Sequence, residues 1–406
     1  MDSLDYLQEK LIHLQAKYPH HPRYCAWRMM FSSLVALCGR FNGRMQKLPF
    51  QSAAGTRSLS YKPAIVFDIK GGLGDLLIAN NYIYCLWKYL DGAFDMKICY
   101  HIPALRRAFC QSLPGVVQTG EKIKDMSGVL KVELNRFPRI VAGDRKALRQ
   151  YNPRLGKVLG AWDAFFENNR KFFDFKPQLD GISNEYTHIL GNKRISQADI
   201  GGLLEMGETY LAPVNFPAKL DENNILNKFG LKEQLFITLQ RGQGIVINAT
   251  SNTKLWPVEY YNELISLLRR RWPQYKLVQL GTEREGFNED FVGIDLNLRG
   301  QTNLEELKVL LAHSMLHIDC EGGLVHLRHA LQGGPSVVLF GPTAPEVYGY
   351  AENLNLRSGV CKYPCEWVTN DWVSRCARRK NKNGCMKELT PQFVFEQLQQ
   401  WAVNPL

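Results

Sequence analysis

The sequence predicts an α/β protein with two doubly wound, Rossmann-like domains and an N-terminal helical extension. Its 406 residues exceed one ordinary core, since a domain holds roughly 100 to 200 residues. Strand and helix patterns alternate along the chain, which favours parallel sheets. Glycine turns follow several predicted strands, where such sheets bind ligands. We expect domains at 61–230 and 231–390, an accessory region at 1–60 and a C-terminal helix at 391–406.

The accessory region contains two helical patterns, Leu4–Lys17 and the amphipathic stretch Tyr24–Phe41. We interpret the second as a helix packed on the body of the protein or on a second copy, which leaves a homo-oligomer open. A helix lying on a membrane surface is the alternative. Because the N-terminus lacks the basic start and apolar run of a signal peptide, the sequence predicts a cytoplasmic protein.

The first α/β unit begins with a buried strand at Ala64–Ile69 and continues into an apolar helix at Leu76–Leu90. The turn between them reads Lys70-Gly-Gly-Leu-Gly-Asp75. It lacks the Gly-Lys-Ser/Thr ending of a phosphate-binding Walker loop and the spacing of a dinucleotide turn. From the residues alone, the turn indicates only that backbone and ligand approach closely.

The second α/β half begins near Phe236. A polar loop ends at Lys254, and Trp256-Pro257 opens a helix that runs to Arg271. The remaining periodic segments are strands at Gly244–Ala249, Lys276–Leu280 and Met315–Ile318 and a helix at Leu304–Ala312.

A segment from Glu321 to Thr343 carries the strongest ligand signal. An acidic glycine turn precedes a helix that contains His326, a buried strand follows at Ser336–Phe340, and a second glycine turn ends the segment. Such turns place backbone N–H groups and a helix N-terminus where a phosphate group binds. The segment therefore predicts a nucleotide ligand.

The overall charge is basic. Lys and Arg number 50 against 39 Asp and Glu, a formal net charge of +11, so the surface should attract anions. Anionic substrates and anionic membrane both fit this charge, and peripheral association at the inner membrane is one consequence. The sequence shows no zinc-finger spacing or RNA-recognition signature, so we expect no nucleic-acid partner.

Taken together, four motifs resemble glycosyltransferase family 9, the ADP-heptose heptosyltransferases that act on lipopolysaccharide. They are Gly72-Leu-Gly-Asp75, Asn248-Ala-Thr-Ser-Asn-Thr-Lys-Leu-Trp-Pro257, Gly322-Gly-Leu-Val-His326-Leu and Leu339-Phe-Gly-Pro-Thr343. They span residues 64–345 in the family's order. The resemblance implies a GT-B fold, in which two Rossmann-like domains face a common cleft.

The resemblance also implies catalytic and diphosphate-binding roles. Asp75 matches the family's catalytic base, which takes the proton of the acceptor hydroxyl; the alternative is that Asp75 only caps the following helix. Lys254, with Thr250 and Ser251, matches the diphosphate-binding loop. A solvated loop lysine is the alternative for Lys254.

Further residues are implied to border the donor sugar nucleotide. His326 would face the donor, with a hydrogen-bonded core histidine as the alternative. Glu321 stands where the family has aspartate, which puts the identity of the donor sugar in question, and Asp319 could share its role. The other implied donor-binding residues are Gly74, Gly322 and Gly323, with Glu283 and Arg284 beside the nucleobase.

Four cysteines, Cys361, Cys365, Cys376 and Cys385, lie within 25 residues near the C-terminus. Four thiolates match the ligand count of a structural zinc or iron ion, and relatives that glycosylate autotransporters have an iron-binding cluster of this kind. Chance clustering of reduced thiols is the alternative. Basic residues between the last cysteines would present charge to an anionic acceptor or form a solvated face.

The resulting hypothesis is an inverting glycosyltransferase that uses no catalytic metal. It moves a sugar, with heptose from ADP-heptose favoured, to a hydroxyl of a glycan, lipopolysaccharide core or protein. A protein that binds nucleotide sugars or glycans without turnover is the alternative, as is a transferase with another donor. A glycosidase pairing Asp75 with Glu321 leaves the diphosphate-type loops without a purpose.

Overall fold

The computed structural model describes residues 62–122, 129–134, 138–143, 145–168, 211–241, 252–282, 289–366, 372–376 and 384–401. The predicted accessory region at 1–60 and the predicted strand at Gly244–Ala249 lie outside these residues. The described chain forms two compact units. Residues 62–70 and 79–168 belong to the first, and residues 71–78 and 212–401 belong to the second.

The first unit is an α/β sheet with covering helices. Its elements are β1 (Ala64–Ile69), α1 (Leu73–Tyr89), β2 (Asp95–Cys99), α2 (Pro103–Phe109), β3 (Val116–Gly120), β4 (Val129–Leu134), β5 (Pro138–Ala142), α3 (Arg145–Tyr151) and α4 (Pro153–Asn168). The first six residues of α1, 73–78, belong to the second unit. The strand order is β3-β2-β1-β4-β5, parallel except for β5, which runs antiparallel to β4.

Strand β1 is central because its sequence suits a position with both faces covered. Five of its six residues are buried and apolar, the pattern of a parallel strand under helices on both sides. The strand pairs with β2 on one side and β4 on the other. On one face Phe67 packs edge-on against Tyr82 of α1, which in turn contacts Trp162 of α4.

The second unit is a larger parallel sheet. Its elements are α5 (Glu222–Lys228), β6 (Phe236–Leu239), α6 (Val258–Arg271), β7 (Lys276–Gln279), β8 (Leu296–Asn297), α7 (Leu304–His313), β9 (Leu316–Cys320), α8 (Gly323–Ala330), β10 (Ser336–Phe340), α9 (Pro345–Tyr348), β11 (Leu354–Arg357), α10 (Gly384–Glu388) and α11 (Pro391–Trp401). The strand order is β11-β10-β9-β6-β7-β8, and every pair is parallel.

Each sheet has a point where the strand order reverses. In the first sheet the reversal lies between β1 and β4, and in the second it lies between β6 and β9. Open α/β sheets bind ligands outside the carboxyl ends of the strands at such a point. The turn after β1 holds Gly71, and Glu321 follows β9 directly. The fold therefore places two of the predicted motifs at the favoured edges.

Helix α8 is fixed to the sheet by a buried arginine. Arg328 is fully buried and donates to the backbone carbonyls of Leu311, Ser314, Gly334 and Pro335 and to the Ser314 hydroxyl. Burial lowers the pKa of its guanidinium to about 10, which leaves the group charged at neutral pH. These bonds hold α8 to the end of α7 and to the turn before β10, so the helix start has a defined position.

Within the described residues, no helix is both long enough and apolar enough to cross a bilayer.

Candidate active site

Glu321 and Lys254 form a buried ion pair beside the end of β9. The Lys254 Nζ lies 2.5 Å from Glu321 Oε2, and the two side chains are 14% and 7% exposed. Glu321 immediately follows β9, and Gly322 is the N-cap of α8. The lysine comes from the polar loop before α6, so two distant chain segments meet at this point.

The carboxyl group of Glu321 is ionised although it is buried. Burial raises its pKa, but the Lys254 ammonium and the neighbouring His326 outweigh burial and hold the pKa well below its usual range. An opposite charge in a poorly solvated position stabilises the carboxylate strongly. The site thus contains a fixed negative charge and a fixed positive charge in contact.

His326 is the third member of this group. Its side chain is 4% exposed, and its Nε2 lies 3.7 Å from Glu321 Oε1. Its Nδ1 lies 2.7 Å from the hydroxyl of Tyr350. His326 is therefore a hydrogen-bonded, buried histidine whose second nitrogen points at the acidic group of the site.

Asp75 lies in the first turn of α1 and accepts a hydrogen bond from its own loop. The Gly72 N–H donates to Asp75 Oδ2 at 2.8 Å, which satisfies one of the free N–H groups at the helix start. Gly71 has φ +99°, and a Cβ there would lie 2.2 Å from the same carboxylate oxygen. The capping interaction is real, and it engages one of the two carboxylate oxygens.

The Asp75 loop contacts α8 through two glycines. A Cβ on Gly74 would lie 2.5 Å from His326 Cδ2, and a Cβ on Gly323 would lie 3.2 Å from Leu73 Cβ. Glycine is needed at position 74 because any side chain would collide with the imidazole ring. The second unit thereby brings the Asp75 loop, His326, Glu321 and Lys254 into one continuous group.

The loop that carries Lys254 is held from several sides. The Thr253 hydroxyl donates to the Trp372 carbonyl at 2.8 Å, and the Thr253 N–H donates to the Val373 carbonyl at 2.8 Å. The Trp256 N–H donates to Cys320 Sγ at 3.3 Å, and its indole N–H donates to the Leu389 carbonyl at 2.7 Å. The cysteine-rich segment thus braces the lysine loop, a role that its sequence gives no signal for.

Replacing Thr253 with Val should weaken this brace. The variant removes the hydrogen bond from the Thr253 hydroxyl to the Trp372 carbonyl, which lowers the free energy of unfolding by about 0.5–1.5 kcal/mol. Because Lys254 is the next residue, we also expect weaker binding of ADP in calorimetry. Thr253→Ser keeps the hydroxyl and is the matched control; equal losses in the two variants would contradict the role of this bond.

Asp319 does not share the position of Glu321. Its side chain is fully buried on β9, and Oδ2 lies 3.5 Å from Nε2 of the fully buried His317. Burial raises the pKa of Asp319 well above its usual value, and burial with the charge of Arg328 lowers the pKa of His317 to about 3. Asp319 therefore lies in the sheet interior and contacts His317, and its predicted share in the role of Glu321 stays a prediction.

The four clustered cysteines form no disulfide with one another. Burial and the neighbouring thiols of Cys361 and Cys376 raise the pKa of Cys385 to about 11. The Cys365 N–H donates to the Pro342 carbonyl. In the described part of the chain, no group of three or more His, Cys, Asp or Glu is arranged to hold a metal ion. The predicted four-cysteine metal site stays a prediction.

Thr250, Ser251, Glu283 and Arg284 lie outside the described residues. The other predicted donor-binding residues, Gly74, Lys254, Glu321, Gly322, Gly323 and His326, lie together in the second unit. Sequence reasoning missed Tyr350 and Thr253. Neither has a local signal, because their hydrogen bonds reach residues 24 and 119 positions away.

A family comparison agrees with this arrangement. Residues 218–377 match glycosyltransferase family 9 (heptosyltransferase). This segment is a glycosyltransferase family 9 domain. The family 9 domain contains Lys254, Glu321 and His326, while Asp75 lies outside the matched residues.

Curated relatives match a similar length of chain. Lipopolysaccharide heptosyltransferase 2 of Salmonella typhimurium is 31% identical over 152 residues, which cover 36% of this chain and 42% of that protein. The Escherichia coli K12 protein of the same name is 26% identical over 152 residues, with the same coverage. The match spans less than half the length of these relatives.

Solved structures extend the likeness beyond the family 9 domain. The iron-containing dodecameric glycosyltransferase TibC from enterotoxigenic E. coli H10407 aligns with a TM-score of 0.52 at 15% identity, covering 84% of this chain and 76% of TibC. A complex of TibC with ADP-D-beta-D-heptose gives the same TM-score at 16% identity, with 85% and 77% coverage. The fold is GT-B, as predicted, with each sheet described above forming one Rossmann-like half.

Proposed function

We propose that the protein is an inverting glycosyltransferase that uses a nucleoside diphosphate sugar. The observation that carries this proposal is the contact between the Asp75 loop and the buried group of Lys254, Glu321 and His326. The group combines a cation, an acid and a hydrogen-bonded imidazole at the ligand-binding edge of a parallel sheet. The family 9 match supports the same reaction class.

In the proposed reaction, the acceptor hydroxyl attacks the anomeric carbon in a single displacement. Asp75 takes the hydroxyl proton, for which its second carboxylate oxygen is the suitable acceptor. The nucleoside diphosphate leaves with increasing negative charge. Lys254 and the N-terminus of α8 would stabilise that charge, so the step needs no catalytic metal.

For the donor we propose heptose from ADP-heptose, because the matched relatives are heptosyltransferases and TibC has been solved with ADP-D-beta-D-heptose. Glu321 would accept hydrogen bonds from donor hydroxyls, and it does so one methylene further from the backbone than the family's aspartate. For the acceptor we propose a hydroxyl of a glycan, a lipopolysaccharide core or a protein.

Nucleoside diphosphate release tests the reaction. Purified protein is mixed with ADP-heptose, ADP-glucose, UDP-glucose and GDP-mannose, each with lipopolysaccharide-core and protein acceptors. We expect ADP release from ADP-heptose to exceed release from the other donors. An absence of release with every donor and acceptor would falsify the transferase proposal.

A binding protein without turnover is the second candidate. The hydrogen bond from the Gly72 N–H to Asp75 supports it, because that bond gives the carboxylate a structural role that needs no catalysis. The two candidates differ in what a substitution at Asp75 does.

For the cysteine segment we propose a structural iron or zinc ion. Thiolates are suitable ligands for either metal, and the thiols of Cys361 and Cys376 contribute to the raised pKa of Cys385. Bound metal would supply a rigid support for the segment that braces the lysine loop.

Elemental analysis of protein purified without chelators should find about one iron or zinc ion per chain. Cys376→Ser should lose that metal and lower the melting temperature. Cys110→Ser is the control, since Cys110 is a buried free thiol outside the segment. Protein that contains neither metal would end this proposal.

We also propose a cytoplasmic protein that associates peripherally with anionic membrane through its basic surface, and a homo-oligomer. The net charge of +11 supports the first statement, and the dodecameric assembly of TibC supports the second.

A further inference from the structure

Tyr350 connects the active-site histidine to a second histidine on the same helix. Its hydroxyl lies 2.7 Å from His326 Nδ1. Its ring stacks on His329 with a centroid separation of 3.5 Å and an interplanar angle of 13°. His329 Nδ1 in turn lies 2.5 Å from Glu352 Oε1. Tyr350 is 9% exposed, so both contacts are largely shielded from water.

The helix geometry explains why one tyrosine reaches both histidines. Residues three apart in an α-helix lie on the same face, so the side chains of His326 and His329 are neighbours on α8. Tyr350 packs edge-on to the first ring, with centroids 5.5 Å apart, and face-on to the second. The ring stack and the hydrogen bond together hold the Tyr350 hydroxyl in a position directed at His326 Nδ1.

The two nitrogens of His326 face partners of different kinds. Nε2 faces Glu321 Oε1 at 3.7 Å, and the ionised carboxylate of Glu321 can only accept a hydrogen bond. A lone pair on Nε2 would repel that oxygen, whereas an N–H would be attracted to it. In a neutral imidazole with its proton on Nε2, Nδ1 is the acceptor, and the Tyr350 hydroxyl is a donor for it.

We propose that Tyr350 is a positioning residue: whenever the His326 ring is neutral, the Tyr350 hydroxyl fixes it in the tautomer with its proton on Nε2. The ring then presents an N–H to Glu321 and to the ligand edge of the site. The His329 and Glu352 pair holds the tyrosine ring in place. This inference rests on the proposed function for its effect on donor binding, and the tautomer itself is independent of that function.

Nitrogen NMR of protein labelled in its histidine rings tests the tautomer directly. Assignment uses a His326→Gln variant, in which the His326 signals disappear. Spectra are recorded while the pH is raised until the His326 ring is neutral, and in the neutral wild-type ring we expect a protonated Nε2 and an acceptor Nδ1. A wild-type spectrum with the proton on Nδ1 would overturn the proposal whatever the variants do.

Tyr350→Phe removes only the hydroxyl. We expect both tautomers to appear and the affinity for ADP to fall roughly three- to tenfold, the effect of losing one hydrogen bond. An unchanged tautomer in this variant would overturn the proposal. His329→Phe keeps an aromatic ring against Tyr350 and is expected to retain the wild-type tautomer.

Tyr348→Phe is the matched control. Tyr348 is another buried tyrosine close to His326, with ring centroids 6.4 Å apart, but its hydroxyl donates to Glu366. The variant should lose stability without altering the His326 tautomer; a tautomer change as large as that of Tyr350→Phe would show that the effect is general loosening. If wild-type protein fails to bind ADP, the proposed function is wrong while the tautomer result still stands.

Discussion

Asp75→Asn is expected to lower turnover by about 10²- to 10⁴-fold while leaving the free energy of unfolding almost unchanged. The amide oxygen of Asn can still accept the hydrogen bond from the Gly72 N–H, so the helix start remains capped. The amide cannot take the proton of an acceptor hydroxyl. The measurement is ADP release at saturating donor and acceptor, together with urea unfolding.

Asp75→Ala separates the structural role from the chemical one. It removes the cap as well as the carboxylate, so we expect the same loss of turnover and an additional loss of about 0.5–2 kcal/mol in stability. Asp163→Asn, a half-exposed carboxylate on α4, should change neither quantity by much. Full turnover in Asp75→Asn would mean that Asp75 is only a cap, and retained ADP binding without turnover in the wild type would favour the binding protein.

Lys254→Met is expected to produce the largest loss of stability among single substitutions at the site. It leaves the buried Glu321 carboxylate without its ammonium partner, which costs about 3–5 kcal/mol. Binding of ADP should fall below detection in calorimetry, because the cation that we propose to face the diphosphate is lost. Arg145→Met, which breaks the exposed pair with Asp163, is the control and should cost under about 1 kcal/mol.

The double variant Lys254→Met with Glu321→Gln tests whether the charge of the Glu321 carboxylate causes the loss of stability in Lys254→Met. Removing the buried charge should restore most of the stability without restoring ADP binding.

Acid titration provides a second measurement. The folded pKa of Glu321 is depressed, so its stabilising contribution is present above its unfolded pKa and is lost as the pH falls toward the folded value. Lys254→Met should lose much less stability than the wild type as the pH falls. An acid dependence identical to that of the wild type would contradict the ion pair.

The sequence predicted the elements that carry continuous periodic patterns. The predicted helix from Trp256-Pro257 to Arg271 is α6, and the predicted strands near Lys276, Met315 and Ser336 are β7, β9 and β10. These segments are long or fully buried, so burial leaves a clear pattern. Of these elements, β9 places Glu321 at its end, and the predicted helix that contains His326 is α8.

Edge strands were harder to predict. All four outer strands, β3, β5, β8 and β11, were missed, and so was the central strand β6, where only the start of the second half was predicted. An edge strand is covered less completely, so its side chains need no continuous apolar run. Both β3 and β5 show this with several exposed residues.

The residue types of the site were predictable, but their partners were not. The motifs identified Asp75, Lys254, Glu321 and His326, whereas the capping bond, the Tyr350 hydroxyl and the Thr253 brace depend on how distant segments pack. Two roles for Asp75, base and cap, were open from the sequence. The structure shows the cap, and the role as a base remains a prediction.

The hydrogen bonds from Thr253 to the chain at Trp372 and Val373 connect a native fluorophore to the loop that carries Lys254. The Trp372 indole is 7% exposed, and the same residue holds the loop that carries Lys254 through its backbone carbonyl. A ligand that moves the Lys254 loop is therefore expected to change the surroundings of the Trp372 indole. Donor binding could then be followed by tryptophan emission in unlabelled protein, with Trp372→Phe identifying the part of the signal that comes from this position.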